Sequence, residues 1–119
     1  MIEGKFIGDA AYIQIVIASG DAVQERFFII DTGFSGFLQV SESIAKELNL
    51  ETKGVMTVRL ANGRTENAQV STISAFVGEK HGPVDVLILN TQPLMGIKFL
   101  KKFGCMLNLD CKNEKVSIA

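Results

Sequence analysis

One segment of the sequence brings together residue types that can hydrolyse a substrate: an aspartate, a threonine and a glycine in succession. Asp31 comes directly after the apolar run from Phe27 to Ile30, a pattern typical of a buried strand that ends in a polar, glycine-containing loop. A carboxylate at the end of such a strand can act as a general base toward water. The predicted loop comprises Asp31, Thr32, Gly33, Phe34, Ser35 and Gly36.

Hydrolysis of a peptide bond without a metal ion or a covalent nucleophile requires two carboxyl groups. One deprotonates water while the other, protonated, polarises the scissile carbonyl, and two such groups about 3 Å apart share a single proton. The sequence contains only one Asp-Thr-Gly. If Asp31 performs this chemistry, the second carboxyl must come from Asp31 of a second copy, related by a two-fold axis.

Other chemistries fit the polar residues less well. The spacing of Asp31, Gly33 and Ser35 also fits the phosphate loop of actin-like sugar kinases, but those folds need two large α/β domains. His81 lies in a charged segment without the nucleophile elbow that a Ser-His-Asp triad would use. No group of ligating side chains has the spacing of a metal site. We therefore expect no metal and no other cofactor.

Length and charge restrict the class of protein. The 119 residues, with a mass of 12.9 kDa, predict one domain that covers residues 1–119. A formal net charge of -1 provides no positive field for nucleic acid or for an anionic membrane surface. No apolar stretch could cross a bilayer, and the segment from Met1 to Lys5 lacks the features of a secretory signal. We therefore expect a cytoplasmic protein that binds neither nucleic acid nor membrane.

The periodicity of the apolar residues predicts mostly strands. Ile13, Ile15 and Ile17 alternate with other residues in a largely buried strand, and Asn62-Gly63 indicates a hairpin with a type I′ turn. Helices are predicted over residues 41–48, with Ser41 as N-cap, and 97–103. The other predicted strands cover residues 25–30, 37–40, 55–60, 64–70, 72–77, 84–89, 106–109 and 115–118. Together they predict an all-β fold, a small partly open barrel with two short helices.

Taken in order, these features resemble the retropepsin-like aspartic proteases, the single-lobe branch of the aspartic peptidases. The resemblance rests on an apolar strand that leads into Asp-Thr-Gly, the Asn-Gly hairpin, the apolar run from Val86 to Leu89, and Leu94-Met95-Gly96 before a short helix. It implies an acid-protease barrel that acts as a symmetric homodimer. It also implies an aspartic endopeptidase whose catalytic dyad is Asp31 from each subunit.

The resemblance further implies roles for individual residues. Thr32 would contact the active-site loop of the opposite subunit, and Gly33 would let backbone approach the carboxylates. The hairpin would be a flap that closes over a peptide substrate. The terminal segments 1–7 and 115–119 would interleave between subunits. The implied flap and substrate-binding residues are Leu60, Ala61, Asn62, Gly63 and Arg64.

Position 34 departs from the commonest pattern of the family, which has Ser, Thr or Ala there. Phe34 has no hydroxyl to hydrogen-bond the carboxylate, so we expect a mildly acidic optimum, about pH 4 to 6. The sequence Asp-Thr-Gly-Phe-Ser-Gly resembles that of small prokaryotic members. The alternative is a catalytically inactive module that keeps the protease fold for dimerisation or peptide binding. Such a module would tolerate any residue at position 31, so the intact Asp-Thr-Gly favours the enzyme.

Overall fold

Strands account for more than half of the chain. The structure is a computed structural model that describes residues 1–119. The elements are, in chain order, β1 (Ile2–Glu3), β2 (Lys5–Ile7), β3 (Ala10–Ser19), β4 (Ala22–Ile30), β5 (Leu38–Val40), α1 (Glu42–Glu47), β6 (Gly54–Arg59), β7 (Thr65–Val77), β8 (Lys80–Ile88), β9 (Leu94–Met95), α2 (Ile97–Lys102), β10 (Leu107–Asp110) and β11 (Lys115–Ile118).

Eight strands form one curled sheet in the order β2-β3-β4-β9-β5-β8-β7-β6. The sheet turns back on itself because residues Val16–Ala18 of β3 also pair with residues Ser74–Phe76 of β7. This return contact covers only three residue pairs, so the barrel stays partly open. β4 and β9 are parallel neighbours, as are β5 and β8, and the other pairs are antiparallel. The predicted all-β fold with two short helices is confirmed.

A second sheet of three strands, in the order β1-β11-β10, joins the two ends of the chain. Its central strand, β11, buries Val116 and Ile118 against the core. Gly4 connects this sheet to the larger one, and its amide donates to the Val116 carbonyl at 2.8 Å. A Cβ at position 4 would overlap the backbone oxygen of Tyr12 and approach Ile13 to 2.8 Å. Only glycine allows this close approach.

The core lies inside the curled sheet and beneath α2. A cluster of 22 buried residues includes Ile13, Ile15 and Ile17, which point inward from β3 at strand period as predicted. From α2 and its end, Phe99 and Phe103 enter the same core with their ring centroids 4.8 Å apart. Each fully buried side chain of this size contributes roughly 1.5 to 3 kcal/mol by leaving water.

Local signals predict the helices and hairpins correctly, with two exceptions. Ser41 caps α1 as expected, since its Oγ accepts from the Ile44 amide at 3.3 Å. The predicted type I′ turn is wrong, because it requires positive φ at both Asn62 and Gly63, and of these two only Gly63 has it, at 83°. The Gly63 amide donates to the Leu60 carbonyl at 2.9 Å, and the Leu60 amide donates to the Arg64 carbonyl at 2.7 Å. This is the pattern of a three-residue loop that ends in a glycine bulge.

The second exception concerns the middle of the sheet. The predicted strands 64–70 and 72–77 form one continuous strand, β7, which pairs first with β6 and then with β3. His81, expected in a turn, lies in β8 opposite Phe76, and the turn comes earlier, at Gly78 with φ of 61°. The two rings stack with centroids 5.6 Å apart. β8 pairs with residues 69–77 of β7, including Ser71 opposite Val86, and so keeps β7 extended where the sequence suggested a break.

Neither of the six-residue helices is long and apolar enough to cross a membrane.

The turn between β10 and β11 contains a carboxylate that affects the pH dependence of stability. The amide and side chain of Asn113 donate to the two carboxylate oxygens of Asp110, at 3.0 and 2.9 Å. The side-chain hydrogen bond from Asn113, followed by that from its backbone, lowers the pKa of Asp110 below its usual 3.8. These hydrogen bonds to the ionised carboxylate therefore stabilise the folded protein above pH 3.8. This stabilisation is lost as the pH falls through the lower pKa that Asp110 has in the folded state.

We expect Asp110→Asn to be less stable than the wild type near neutral pH, and the difference to shrink as the pH falls below 3.8. Asn keeps an oxygen for the Asn113 amide but carries no charge. Urea unfolding midpoints of both proteins at pH 6 and pH 3 measure the effect. A difference that grows on acidification would contradict this account.

Candidate active site

Asp31 is positioned by two parallel strands. It follows the last residue of β4, where Ile29 pairs with Leu94 and Ile30 with Met95 of β9. The Asp31 amide continues this ladder by donating to the Met95 carbonyl at 3.0 Å. The chain then leaves the sheet, because the five residues that follow are polar or glycine with the single exception of Phe34. Asp31 is thus fixed to the sheet through its backbone, and its side chain is half-buried at the edge of the loop.

A tight turn orients the Asp31 carboxylate. Its Oδ1 accepts from the Gly33 amide at 3.0 Å, and its backbone carbonyl accepts from the Phe34 amide at 3.1 Å. This turn exposes Thr32, whose hydroxyl makes no hydrogen bond within the chain, and Ser35 is also exposed. The arrangement leaves the second carboxylate oxygen, Oδ2, free of hydrogen bonds from the chain.

Gly96 and Ile97 hold the loop by backbone hydrogen bonds. The Gly96 amide donates to the Phe37 carbonyl at 2.9 Å, and the Ile97 amide donates to the Phe34 carbonyl at 3.1 Å. A Cβ at position 96 would lie 2.6 Å from the Phe34 carbonyl oxygen and closer still to that of Gly36. Those atoms are backbone, so a side chain there could be accommodated only if the loop moved.

The ring of Phe34 fills the space between two glycines. A Cβ on Gly36 would lie 2.5 Å from the ring, and a Cβ on Gly96 would lie 2.8 Å from it. The ring also lines the groove described next. Phe34 thus has a packing role within the loop, so replacing it with Ser removes these contacts along with adding a hydroxyl.

A groove of about 800 Å³ opens beside the Asp31 carboxylate, and we refer to it as the active-site groove. Its lining includes the loop, β5 and the strand β6 that leads into the predicted flap. Leu60 and Ala61 line it as predicted, whereas Asn62, Gly63 and Arg64 do not. Of the predicted loop residues, all except Thr32 line it. More than half of its lining residues are hydrophobic, which suits an extended peptide with apolar side chains.

Sequence reasoning missed several residues of the groove. Residues 56–59 of β6 line it, although the prediction began at Leu60. The sequence signal that could have identified them is the strand-period alternation of residues 55–60, which leads into the hairpin. Asp85 and Leu87 come from β8 and Lys98 from α2, and only the folded sheet brings them to the same site.

The outer part of the hairpin, β6 with residues 65–68 of β7, pairs with no other strand. β6 pairs only with β7 and is an edge strand of the larger sheet. Val55 and Met56 are 66% and 52% exposed. Large apolar side chains this exposed on an edge strand indicate a surface that another molecule can cover.

No group of three potential metal ligands is found in the structure, and the two cysteines differ in exposure. No three residues among His, Cys, Asp and Glu are close enough together to hold an ion. Cys111 is exposed, and Cys105 is half-buried. Burial raises the pKa of the Cys105 thiol, and the nearby positive charge of Lys80 only partly opposes this shift. A raised pKa disfavours the reactive thiolate.

The fold is similar to that of the retropepsin-like, single-lobe aspartic proteases. The structure superposes on that of a retropepsin-like aspartic protease from Rickettsia conorii with a TM-score of 0.62, covering 99% of this chain and 90% of that one at 17% identity. The sequence model of the family described as aspartyl protease matches residues 14–99. This chain therefore belongs to the aspartyl protease family. No curated protein sequence matches it significantly.

Proposed function

We propose that the protein is an aspartic endopeptidase that acts as a homodimer, in which Asp31 of each subunit forms the catalytic dyad. The observation that carries the proposal is the Asp31 carboxylate itself. It lies at the end of β4, is oriented by the Gly33 amide, and lines a groove of about 800 Å³. The membership of the chain in the aspartyl protease family supports the same chemistry.

The proposed reaction uses one proton shared by two carboxyl groups. The ionised Asp31 takes a proton from a water molecule between the two groups, and the water oxygen attacks the scissile carbonyl carbon. The protonated Asp31 of the other subunit donates a hydrogen bond to the carbonyl oxygen, on which negative charge develops. Proton transfer to the leaving nitrogen then breaks the C–N bond and releases an acid and an amine.

The second subunit is needed because each chain supplies one aspartate of this kind. Thr32 is suited to the contact with the partner loop, since its hydroxyl is exposed and unused within the chain. The expectation that the terminal segments 1–7 and 115–119 interleave between subunits needs refinement. β11 is paired on both sides within its own chain, so only β1 and β10 present free edges to a partner. Next to the β10 edge, Met106 and Leu109 are 66% and 46% exposed.

The hairpin of β6 and β7 is the proposed flap. Residues 56–61 and Val70 line the same groove as Asp31, and the turn glycine, Gly63, has open space around it. The outer part of the hairpin, residues 54–68, pairs with no strand outside the hairpin, so it can move at a lower cost in free energy than the central sheet. Closure would remove Met56, which lines the groove and is 52% exposed, from water and would shield the dyad from bulk solvent.

We expect sedimentation at micromolar concentration to give about twice 12.9 kDa. At dilutions where the dimer dissociates, activity should rise with the square of the protein concentration, because both halves of the site must meet. A steady-state assay over a dilution series measures this dependence. Activity linear in concentration for a protein that sediments as a monomer would contradict the shared site.

Cleavage of a chemically unfolded protein tests the activity directly. The wild type should cut it at internal sites, and a statine-type inhibitor, which mimics the tetrahedral intermediate, should block the cut. Metal chelators and thiol reagents should leave the rate unchanged. Binding of the unfolded chain without cleavage between pH 4 and pH 7 would indicate a peptide-binding module instead.

A further inference from the structure

The active-site groove has an uneven distribution of charge. Apart from Asp31, its charged lining residues are Arg59, Asp85 and Lys98. The one ion pair of the chain joins Arg26 to Glu47, neither of which lines the groove. The two cations of the groove therefore have no carboxylate partner within the chain. In a groove that is otherwise mostly apolar, unpaired charges favour a ligand that brings the opposite charge.

Lys98 is the groove cation that α2 contributes. It lies in the first turn of α2, two residues after Gly96, whose amide bonds to the Phe37 carbonyl. Its Nζ is 5.8 Å from the centroid of the Phe37 ring, which also lines the groove. Lys102 lies at 5.9 Å from the same ring, but its ammonium donates to the Pro83 carbonyl. The Lys98 ammonium has no such acceptor and remains available to a ligand.

Phe37 and Lys98 together match a side chain with an apolar stem and an anionic end. The stem can lie against the ring while the carboxylate reaches the ammonium. Glutamate has this shape. The single carboxylate of the groove outside the dyad, Asp85, already accepts from the Thr72 hydroxyl at 3.3 Å. Because this hydrogen bond already engages the Asp85 carboxylate, Asp85 attracts a basic substrate residue less strongly.

We propose that Phe37 and Lys98 form a subsite that selects glutamate in the peptide substrate. The proposal rests on the proposed function, since it assigns part of the specificity of that site. The dyad carries one negative charge and repels a carboxylate beside the scissile bond, so the glutamate belongs at a flanking position. Each subunit contributes one Lys98. The preference should therefore occur at two positions, one on either side of the scissile bond.

The test uses peptides that share an apolar pair at the cleavage point and carry Glu, Gln or Lys at one flanking position at a time. Binding is measured first with Asp31→Asn protein, by fluorescence anisotropy, because it then does not depend on catalysis. At one position on each side, Glu should bind about fivefold more tightly than Lys at low salt, the upper range for an exposed ion pair. Added salt should reduce the preference.

Two further variants connect the preference to Lys98. Lys98→Glu in the same background should reverse the order of the Glu and Lys peptides. Lys101→Glu is the matched control. The substitution changes the charge of the same helix by the same amount, but Lys101 does not line the groove. This control variant should keep the order of the unmodified protein. Equal binding of the three peptides at every position, or a Glu preference that survives Lys98→Glu, would overturn the proposal.

Cleavage by the protein with Asp31 intact separates this proposal from the proposed function. If the peptides bind with the expected preference but none is cut, the endopeptidase proposal is wrong and the subsite stands. If they are cut at rates that do not depend on the flanking residue, the endopeptidase stands and the subsite is wrong. Cleavage that favours the Glu peptides by about the same factor as binding supports both.

Discussion

Replacing Asp31 with Asn should lower kcat/KM at least a hundredfold, while the fold and the dimer remain intact. Asn has nearly the same shape and keeps an oxygen that can accept from the Gly33 amide, which bonds to Asp31 at 3.0 Å. It cannot take a proton from water or share one with the partner aspartate. General acid-base catalysis is typically worth about 10² to 10⁴ in rate, and this substitution removes it from both subunits.

Asp85→Asn is the matched control, because Asp85 is the other carboxylate that lines the groove but belongs to β8, outside the loop. It should change kcat/KM by no more than about fivefold, as expected for an exposed charge. Mixed dimers with one Asp31→Asn subunit should also be inactive, since each site needs both carboxyls. Circular dichroism and sedimentation verify the fold and the assembly. A rate above a hundredth of the wild-type value would assign the chemistry elsewhere.

Replacing Gly96 with Ala should reduce both stability and activity. The added Cβ would lie 2.6 Å from the Phe34 carbonyl oxygen and closer still to that of Gly36, so the loop has to shift by about 1 Å. Overpacking against atoms that cannot rotate away costs about 3 kcal/mol, the upper part of the usual range. For a chain of this size that lowers the melting temperature by roughly 10 °C. A shift of about 1 Å in a catalytic group lowers the rate about a hundredfold.

Gly54→Ala provides the control for this substitution. A Cβ at position 54 meets no atom within 4 Å, and the residue does not have a positive φ. Its stability should therefore change by less than about 1 kcal/mol, with a gain as plausible as a loss. Thermal unfolding and kcat/KM of both variants are the measurements. If Gly96→Ala matched Gly54→Ala in both, the contact between Gly96 and the loop would have no role in holding Asp31.

Much of the fold could be predicted because its signals are local. The alternation of Ile13, Ile15 and Ile17 reports directly which face of β3 is buried. The serine cap of α1 and the Asn-Gly hairpin depend on residues within four positions of one another. The short strands β1, β2 and β9 were not predicted. With two or three residues each, they are too short to show a period, and long-range pairing alone holds them extended.

The candidate site divides in the same way. By itself the sequence determined that Asp31 follows a buried strand in a loop with glycine, and that the chain offers one such aspartate. The tertiary structure alone decided that β6, β8 and α2 face this loop, that Gly96 touches it, and that Lys98 lies beside Phe37. These residues come from segments far apart in the chain. Sheet order and helix packing place them. The local periodicity of a sequence does not indicate which distant segment a strand will pair with.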